Sequence, residues 1–406
     1  MRKFLKVDHI LLGTILLILL FGIVMITSIG VPKSLQLSSG NMLYPNCSSA
    51  GVDCYLLLKN HLMRVGVGLA ALFVVMKMDY RIWRKVSLLL FIFSFVLLVM
   101  LFFVGDKNNT FATSWINVPL PFLNSIQPSE IAKLALVVYL ASWLEQKKEQ
   151  IKSFQYGFVA FCVISLIIMF PIIAQPDLGS AMVIGAIAVS IYFAAGAKVQ
   201  HLLIGSLIAI LASGVFISQK TYLKNRVNAF LHQDTECVED YCWQSEQAKI
   251  AVGSGGFFGR GLTQGIQKSY WLPQASDDFI FAASAEELGF VRIILLVFAY
   301  MVIGYRGFFI ANHAPNRFAA LLAVGITTWV VVQAFVNIGV NISLLPITGI
   351  TLPLVSYGGS SLVTTLIGLG ILLNISQNST GYAHSSNWRR NRGARRTKRR
   401  TYRRNA

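Results

Sequence analysis

Apolar runs of about 20 residues recur along this 406-residue chain and constrain its fold more than any other feature. A helix of that length spans the hydrocarbon core of a bilayer, where every backbone polar group needs a partner within the protein. Charged residues make up 13% of the sequence, about half the usual share in a soluble domain. We therefore expect an all-α polytopic membrane protein.

The runs predict about ten membrane helices, at residues 10–30, 61–78, 87–105, 129–144, 154–174, 177–195, 201–218, 278–304, 318–340 and 356–375. The first run is longer than a signal-peptide core and lacks a small-residue cleavage site, so we interpret it as a retained helix. Lys and Arg recur in the segments that alternation assigns to the inside. These are Arg2, Lys3 and Lys6, then Arg81, Arg84 and Lys85, then Lys147, Lys148 and Lys152, then Lys198, then Arg306 and Arg317. Both termini are then cytoplasmic.

Two segments stand out from the predicted helices. Residues 219–275, between the seventh and eighth helices, form one long extracytoplasmic loop, whose basic residues oppose the general charge bias and favour an anionic ligand on the outer face. Residues 377–406 form a basic tail, which from Trp388 onward carries ten of the 35 Lys and Arg residues. We expect a membrane domain over residues 1–376 and a disordered cytoplasmic tail, attracted to anionic lipid rather than to nucleic acid.

The cysteines indicate an oxidising exterior more than a metal site. Cys47 and Cys54 lie in one polar loop, Cys237 and Cys242 lie in another, and Cys162 lies in an apolar run. Each loop pair can close a small disulfide if its loop faces outward. Neither pair has the CxxC spacing of a zinc site and the six His are scattered, so we expect no protein-held metal.

Four acidic residues lie around the start of the predicted eighth helix. Asp277 precedes it, Asp278 is its first residue, and Glu286 and Glu287 lie inside it. Carboxylates are costly in a membrane and mark candidate functional sites. Adjacent aspartates at a helix start can also simply complement the helix dipole. Because neighbouring residues point in different directions, we expect one aspartate to act while the other caps the helix or faces water.

Other polar groups on the outer side leave alternatives open. Glu130 and Lys133 share a helix face, so they form either a neutralising ion pair or a substrate contact. Asp177 follows a proline and is either a helix cap or part of a site. The glycines of segment 253–261 indicate either turns with positive φ or a backbone that approaches a phosphate or sugar. Asn337 and Asn341 are expected to bond to neighbouring helices rather than to a ligand.

Four motifs occur in order along the chain: QPSEIAKLAL, then QPDLGSA, then SGGFFGRGL with LP, DFIFA and EELGF, then LPITGITLPLVSYGGSS. Together they make the chain similar to the SEDS family (shape, elongation, division and sporulation) of FtsW/RodA-type proteins over about residues 10–376. The ITLP and KMDYRIWRK segments look more like the FtsW division branch than the RodA branch.

The resemblance implies a ten-helix peptidoglycan glycosyltransferase that polymerises lipid II on the outer face of the bacterial cytoplasmic membrane. It also implies a class B penicillin-binding protein as transpeptidase partner, together with other divisome or elongasome membrane proteins. The essential aspartate of its DFIFA motif falls on Asp278. Further family positions fall on Glu130, Lys133, Asp177, Glu286 and Glu287. The chain departs from the family at Gln274, where Glu is common, at Ser114, where Arg is usual, and in the Cys237/Cys242 pair.

In the expected reaction, Asp278 is the general base that activates a sugar hydroxyl, because a hydroxyl is a poor nucleophile. Lys133, Arg226 and Lys268 are candidates to neutralise the leaving pyrophosphate, with a divalent cation, Mg²⁺ or Mn²⁺, as an open addition and no organic cofactor. A lipid II flippase, a non-catalytic scaffold and an elongation-type RodA role are the alternatives. The polar groups cluster on the outer half, which favours an enzyme over a flippase.

Overall fold

The computed structural model describes residues 7–40, 46–49, 51–104, 114–120, 123–219, 221–231 and 240–379. In these ranges most of the chain is helical. The predicted tail falls outside them apart from its first residues, as does Cys237.

The described residues form thirteen α-helices and one β-hairpin. The first five helices and the hairpin are α1 His9–Ile29, α2 Val31–Ser38, α3 Leu56–Lys77, α4 Arg81–Val104, β1 Ile116–Leu120, β2 Leu123–Ile126 and α5 Pro128–Lys147. A 3₁₀ turn and a π-helical turn, Phe154–Val159, lead into α6 Ala160–Ala174. The remaining helices are α7 Leu178–Ala194, α8 Val199–Gln219, α9 Thr221–Leu231, α10 Asp240–Gly255, α11 Ile280–Asn312, α12 Arg317–Asn341 and α13 Gly359–Asn378.

Each of the ten predicted segments overlaps a helix of the structure. Among the described residues, eight helical segments are long and apolar enough to cross a membrane, and α7 is a shorter apolar helix. The all-α polytopic fold is therefore confirmed. The remaining predicted segment, 129–144, is α5, whose first turns carry Glu130 and Lys133.

Three local features differ from the sequence-based expectation. The hairpin, with Ile116 opposite Ile126, was not predicted because its strands are short and contain a proline. The segment expected as a long loop holds α9 and α10. The predicted eighth membrane helix is broken at Gly289, which has φ +76° and ψ 173°, so a short helical piece precedes the spanning part of α11.

The bundle packs around α12 and α13, the two most deeply buried spans. Small residues permit the close approach of these helices, as in other membrane proteins. A Cβ at Gly325 of α12 would lie 2.6 Å from the Ile191 side chain of α7 and 2.7 Å from Val137 of α5. A Cβ at Gly68 of α3 would lie 2.4 Å from Leu366 of α13. In contrast, α8 exposes almost its entire length.

Buried polar contacts tie the helix ends together on the side that the charge pattern assigns to the cytoplasm. Asp8 caps α1 by accepting from the Leu11 N–H at 3.0 Å, and it accepts from Arg306 of α11 at 2.7 Å. Asn374 of α13 accepts from the Tyr80 N–H at 3.1 Å and donates to the Met76 carbonyl at 2.8 Å. These contacts fix one end of the bundle, and the predicted site residues lie towards the other.

Candidate functional site

The turn before α11 carries Asp277 and Asp278, and three side chains bond to its backbone. Asn337 and Asn341 of α12 donate to the Asp278 carbonyl at 2.8 and 3.0 Å. Ser356 donates to the Asp277 carbonyl at 2.5 Å. Both asparagines therefore bond to protein groups, as expected, although the turn itself is their acceptor. The consequence is a rigid backbone under the two carboxylates.

The two aspartate side chains have different surroundings. Asp277 forms an ion pair with Lys33 of α2, and Lys33 also donates to the Gln274 side-chain oxygen at 2.9 Å. The Asp278 carboxylate accepts no hydrogen bond from the part of the chain that the structure describes. A Cβ added at Gly349, which has φ +71°, would lie 3.7 Å from Asp278 Oδ2. The Asp277 carboxylate is thus held by Lys33, whereas the Asp278 carboxylate can accept a hydrogen bond from a substrate.

Electrostatics single out the same residue. Burial raises the pKa of Asp278 to about 7, and Asp277 and Asp177 push it in the same direction. Lys33 and Arg226 oppose that rise in the pKa. A carboxyl group that titrates near neutral pH suits a general base, because both of its protonation states are accessible.

Three cationic residues from separate helices flank this turn. Lys33 of α2 contacts Asp277 directly. Arg226 of α9 donates to the Ile347 carbonyl at 3.2 Å, two residues before Gly349. Arg64 of α3 lies over the Tyr357 ring, 4.3 Å from its centroid, and the Tyr357 N–H donates to the Ser276 carbonyl at 3.0 Å. Arg226 was a predicted binding residue, whereas Lys33 and Arg64 were missed.

The sequence contained a signal for only one of the two missed cations. Arg64 lies inside a predicted membrane helix, where a charged side chain is itself evidence for a site. Lys33 lies in a polar connection, where nothing in the pattern marks it.

Glu130 and Lys133 form a fully buried ion pair at the start of α5. The Lys133 ammonium lies 2.8 Å from a Glu130 oxygen and 2.7 Å from the side-chain oxygen of Gln333 on α12. Gln333 in turn donates to the Thr351 carbonyl at 3.1 Å. The structure therefore shows the ion pair that was one of the two interpretations of these residues, and a substrate contact stays a prediction. Gln333, which was not predicted, links the pair to the loop that contains Thr351.

The other predicted acids and Lys268 meet in a second buried network. A Glu287 oxygen lies 2.6 Å from Lys268, and Ser28 of α1 donates to Glu287 at 2.6 Å. Glu286 accepts from the backbone N–H groups of Ile266 and Gln267 at 2.9 and 3.1 Å. These bonds go to α1 and the 263–268 segment rather than to the turn of Asp278. Lys268, Glu286 and Glu287 thus lie in one network that connects α11 to α1 and to the 263–268 segment. A substrate contact by these residues stays a prediction.

The Gly-rich segment docks onto the break in α11. A break leaves backbone N–H and C=O groups without hydrogen-bond partners in the helix. The Gly-rich segment supplies those partners. The Phe290 and Val291 N–H groups donate to the Gly256 and Phe257 carbonyls at 2.9 and 3.1 Å. The Glu286 and Glu287 carbonyls accept from the Arg260 and Gly261 N–H groups at 3.0 Å each. The glycines thus allow turns with positive φ and a close approach to protein backbone, and an approach of this segment to a phosphate or sugar stays a prediction.

Asp177 combines two properties. Its side chain caps α7 by accepting from the Ser180 N–H at 2.9 Å, as one interpretation of the sequence predicted. Its negative charge also raises the pKa of Asp278, so it lies near the site.

Most of the described cysteines are disulfide-bonded. Cys47 and Cys54 form a disulfide and Cys162 is a free thiol. Cys242 is disulfide-bonded as well, and Cys237 lies outside the described residues. Among the described residues, no three His, Cys, Asp or Glu side chains are grouped closely enough to hold a metal ion.

The chain is similar to curated bacterial proteins over most of its length. It is 39% identical over 329 residues to stage V sporulation protein E of Bacillus subtilis (strain 168), covering 80% of this chain and 88% of that protein. It is 37% identical over 334 residues to the "Probable peptidoglycan glycosyltransferase FtsW" of Geobacter sp. (strain M18), covering 82% of this chain and 89% of that protein.

Solved structures with the same fold exist. A peptidoglycan synthase complex that coordinates polymerization and crosslinking contains a chain with a TM-score of 0.72 and 26% identity. The rod shape determining protein RodA of Thermus thermophilus has a TM-score of 0.65 and 26% identity. In each case 92% of this chain and 98% of the other chain are covered.

A family model described as "Cell cycle protein", that of the FtsW, RodA and SpoVE proteins, matches residues 8–381. This match spans every described residue of the site, from Ser28 to Tyr357. The chain therefore belongs to the FtsW/RodA/SpoVE family of cell cycle proteins.

Proposed function

We propose that this chain is a peptidoglycan glycosyltransferase that polymerises lipid II into glycan strands on the outer face of the cytoplasmic membrane. The observation that carries the proposal is the Asp278 carboxylate. It stands on a turn held by Asn337 and Asn341, it accepts no hydrogen bond from the described chain, and its pKa is raised to about 7. The relatives named as peptidoglycan glycosyltransferases support the same activity.

The reaction joins two lipid-linked disaccharides. A hydroxyl oxygen of one sugar forms a bond to the anomeric carbon of the other, and the bond from that carbon to the polyprenyl pyrophosphate breaks. The hydroxyl proton passes to Asp278, and the bonding pair leaves with the pyrophosphate. A single displacement inverts the anomeric carbon, so the base acts on the face opposite the leaving group. Polyprenyl chains explain why a sugar-joining enzyme is built inside the membrane.

The leaving pyrophosphate needs positive charge nearby. Of the three cations predicted for this role, Arg226 is the one whose charge acts on Asp278 in the structure. Lys133 and Lys268 are held in ion pairs with Glu130 and Glu287, so a phosphate would have to compete with those carboxylates. A requirement for Mg²⁺ or Mn²⁺ stays a prediction, tested by titrating the polymerisation assay with EDTA and restoring each ion separately.

The test compares wild type with Asp278→Asn and Asp277→Asn in polymerisation of labelled lipid II in liposomes. Asp278→Asn keeps size but removes the base, so we expect at least a hundredfold loss of glycan synthesis with lipid II binding largely kept. Asp277→Asn leaves the base in place and should retain a substantial part of the rate. Wild-type-like turnover by Asp278→Asn contradicts the assignment. Lipid II that crosses the bilayer without polymerising identifies a flippase instead.

We further propose that the chain works with a class B penicillin-binding protein in septal wall synthesis. The FtsW names of the relatives and the synthase complex of similar fold support this partner and role. The sporulation relative keeps a second role open. Depletion in the native cell should produce filaments with unfinished septa, whereas round cells would indicate elongation and a defect confined to spores would indicate sporulation.

A further inference from the structure

The Lys33 side chain is the direct contact between α2 and the turn that carries the two aspartates. Its ammonium group forms the ion pair with Asp277 and donates to Gln274 at 2.9 Å. Both Lys33 and Asp277 are only partly exposed, at 31% and 18% of their side-chain surface. The pair is therefore shielded more than an ordinary surface salt bridge, for which the energetic contribution is small.

Gln274 gives this contact a feature particular to the chain. The residue stands in the left-handed region, with φ +53°, and presents a neutral oxygen to Lys33. Because that oxygen carries no charge, Asp277 is the single carboxylate bonded to Lys33 in the described structure. The positive charge of Lys33 is then not cancelled by a second acid at position 274.

We propose that Lys33 is a positioning residue of this site. It holds the Asp277 carboxylate away from its neighbour and maintains Asp278 in its ionised, proton-accepting form at neutral pH. The proposal rests on the glycosyltransferase function argued above and assigns the control of the base to a residue on the connection between α1 and α3.

The charges that face the aspartates come from five parts of the chain. Asp278 experiences Asp277 on its own turn, Lys33 from α2, Arg226 from α9 and Asp177 from the start of α7. Asp277 is affected by the positive charges of Lys33 and of Arg64 from α3, and by a hydrogen bond with the neutral Ser276. Lys33 and Arg226 lower the pKa of Asp278 against the effect of burial. Of these two cations, Lys33 is the one bonded to the turn itself.

The experiment is a pH–rate profile of lipid II polymerisation for wild type, Lys33→Met, Lys33→Arg and Gln274→Glu. Loss of one nearby positive charge should raise the pKa of the base by about one unit. For Lys33→Met we expect the acid limb of the profile to move up by about one pH unit, with about tenfold less activity near pH 6 and a near-normal rate above about pH 8.5. Lys33→Arg should keep the wild-type limb.

Gln274→Glu gives Lys33 a second carboxylate and should move the acid limb in the same direction by a smaller amount. If Lys33→Met does not fold, as judged by its elution in detergent, this second variant carries the test. Lys59→Met is the matched control, because Lys59 forms an exposed ion pair with Asp53 at the start of α3. Its profile should be unchanged.

The outcomes distinguish a failure of the Lys33 assignment from a failure of the proposed glycosyltransferase function. Equal loss at every pH in Lys33→Met indicates a merely structural contact and overturns the proposal, as does an unchanged profile in both Lys33→Met and Gln274→Glu. Glycan strands that are absent with wild type at every pH overturn the proposed function itself, and this assignment with it.

Discussion

Asp277 and Asp278 show how adjacent residues of the same type come to differ. The ion pair with Lys33 restrains the first, while the second keeps an unbonded carboxylate above an anchored carbonyl. The two carboxylates therefore have different partners, as expected if one acts while the other is held in place. A base positioned in this way needs little reorganisation at the moment of reaction.

The raised pKa of Asp278 predicts the pH dependence of the reaction. A general base works in its deprotonated form, and this carboxyl group loses its proton at about pH 7. The rate constant for polymerisation should therefore fall about tenfold for each pH unit below that value. The measurement is the initial rate between about pH 5.5 and 8.5 at saturating lipid II. A rate that is flat down to pH 5.5 would show that Asp278 does not titrate in this range.

The same pKa predicts a stability difference with a definite sign. In the fold the pKa is about 7 and its ordinary value is 3.8, so folding favours the protonated form. The stabilisation by that proton is complete below about pH 4 and is lost as pH rises through about 7. Asp278→Asn should therefore melt at a higher temperature than wild type at pH 8, and the gap should close towards pH 4. A constant gap across this range would contradict the argument.

At the scale of elements, the break in α11 and the Gly-rich segment form one unit. A Cβ at Gly289 would lie 2.1 Å from the Gly259 nitrogen, and a Cβ at Gly259 would lie 2.2 Å from the Glu287 carbonyl oxygen. Both positions also have positive φ, at +76° and +81°. The SGGFFGRGL and EELGF motifs are thus two halves of a single interface at the break in α11.

Gly289→Ala tests that interface. The added methyl group collides with backbone and strains φ, so we expect a loss of about 2 kcal/mol or more in the free energy of unfolding, with loss of activity. Gly253→Ala is the control, because nothing lies within 4 Å of a Cβ there and the position is helical. Thermal unfolding in detergent measures both variants, and a Gly289→Ala variant as stable as Gly253→Ala would refute the tight fit.

The Lys268–Glu287 pair gives an element-scale prediction on the same interface. Removing one partner of a buried pair leaves an unpaired charge and typically costs about 3–5 kcal/mol. Lys268→Met and Glu287→Gln should each be strongly destabilised, whereas the double variant should recover much of the loss. The double-mutant cycle on thermal stability measures this coupling. A double variant that is stable but inactive would favour the direct substrate contact predicted from the sequence.

At the scale of the whole molecule, polar contacts at one end fix the bundle while the site occupies the other. The predicted topology places the Cys47–Cys54 disulfide on the outer side, as an oxidising exterior permits. In intact spheroplasts, a membrane-impermeant reductant followed by an impermeant maleimide should label Cys47 and Cys54. Cys162, within α6, should stay unlabelled and serves as the control. Labelling that requires permeabilised membranes would invert the topology.

Apolar run lengths and local motifs were enough to predict the fold class, the approximate helix positions and the family, because both depend only on neighbours in the chain. The sequence also placed Asp278, since DFIFA is a local motif. Only the tertiary structure showed that Lys33, Arg64 and Gln333 reach the same region and that Lys268, Glu286 and Glu287 brace the broken helix. The reason is physical. A side chain's partner in a helical bundle is set by how distant helices pack, and a backbone break such as Gly289 is tolerated only when another segment supplies its hydrogen bonds.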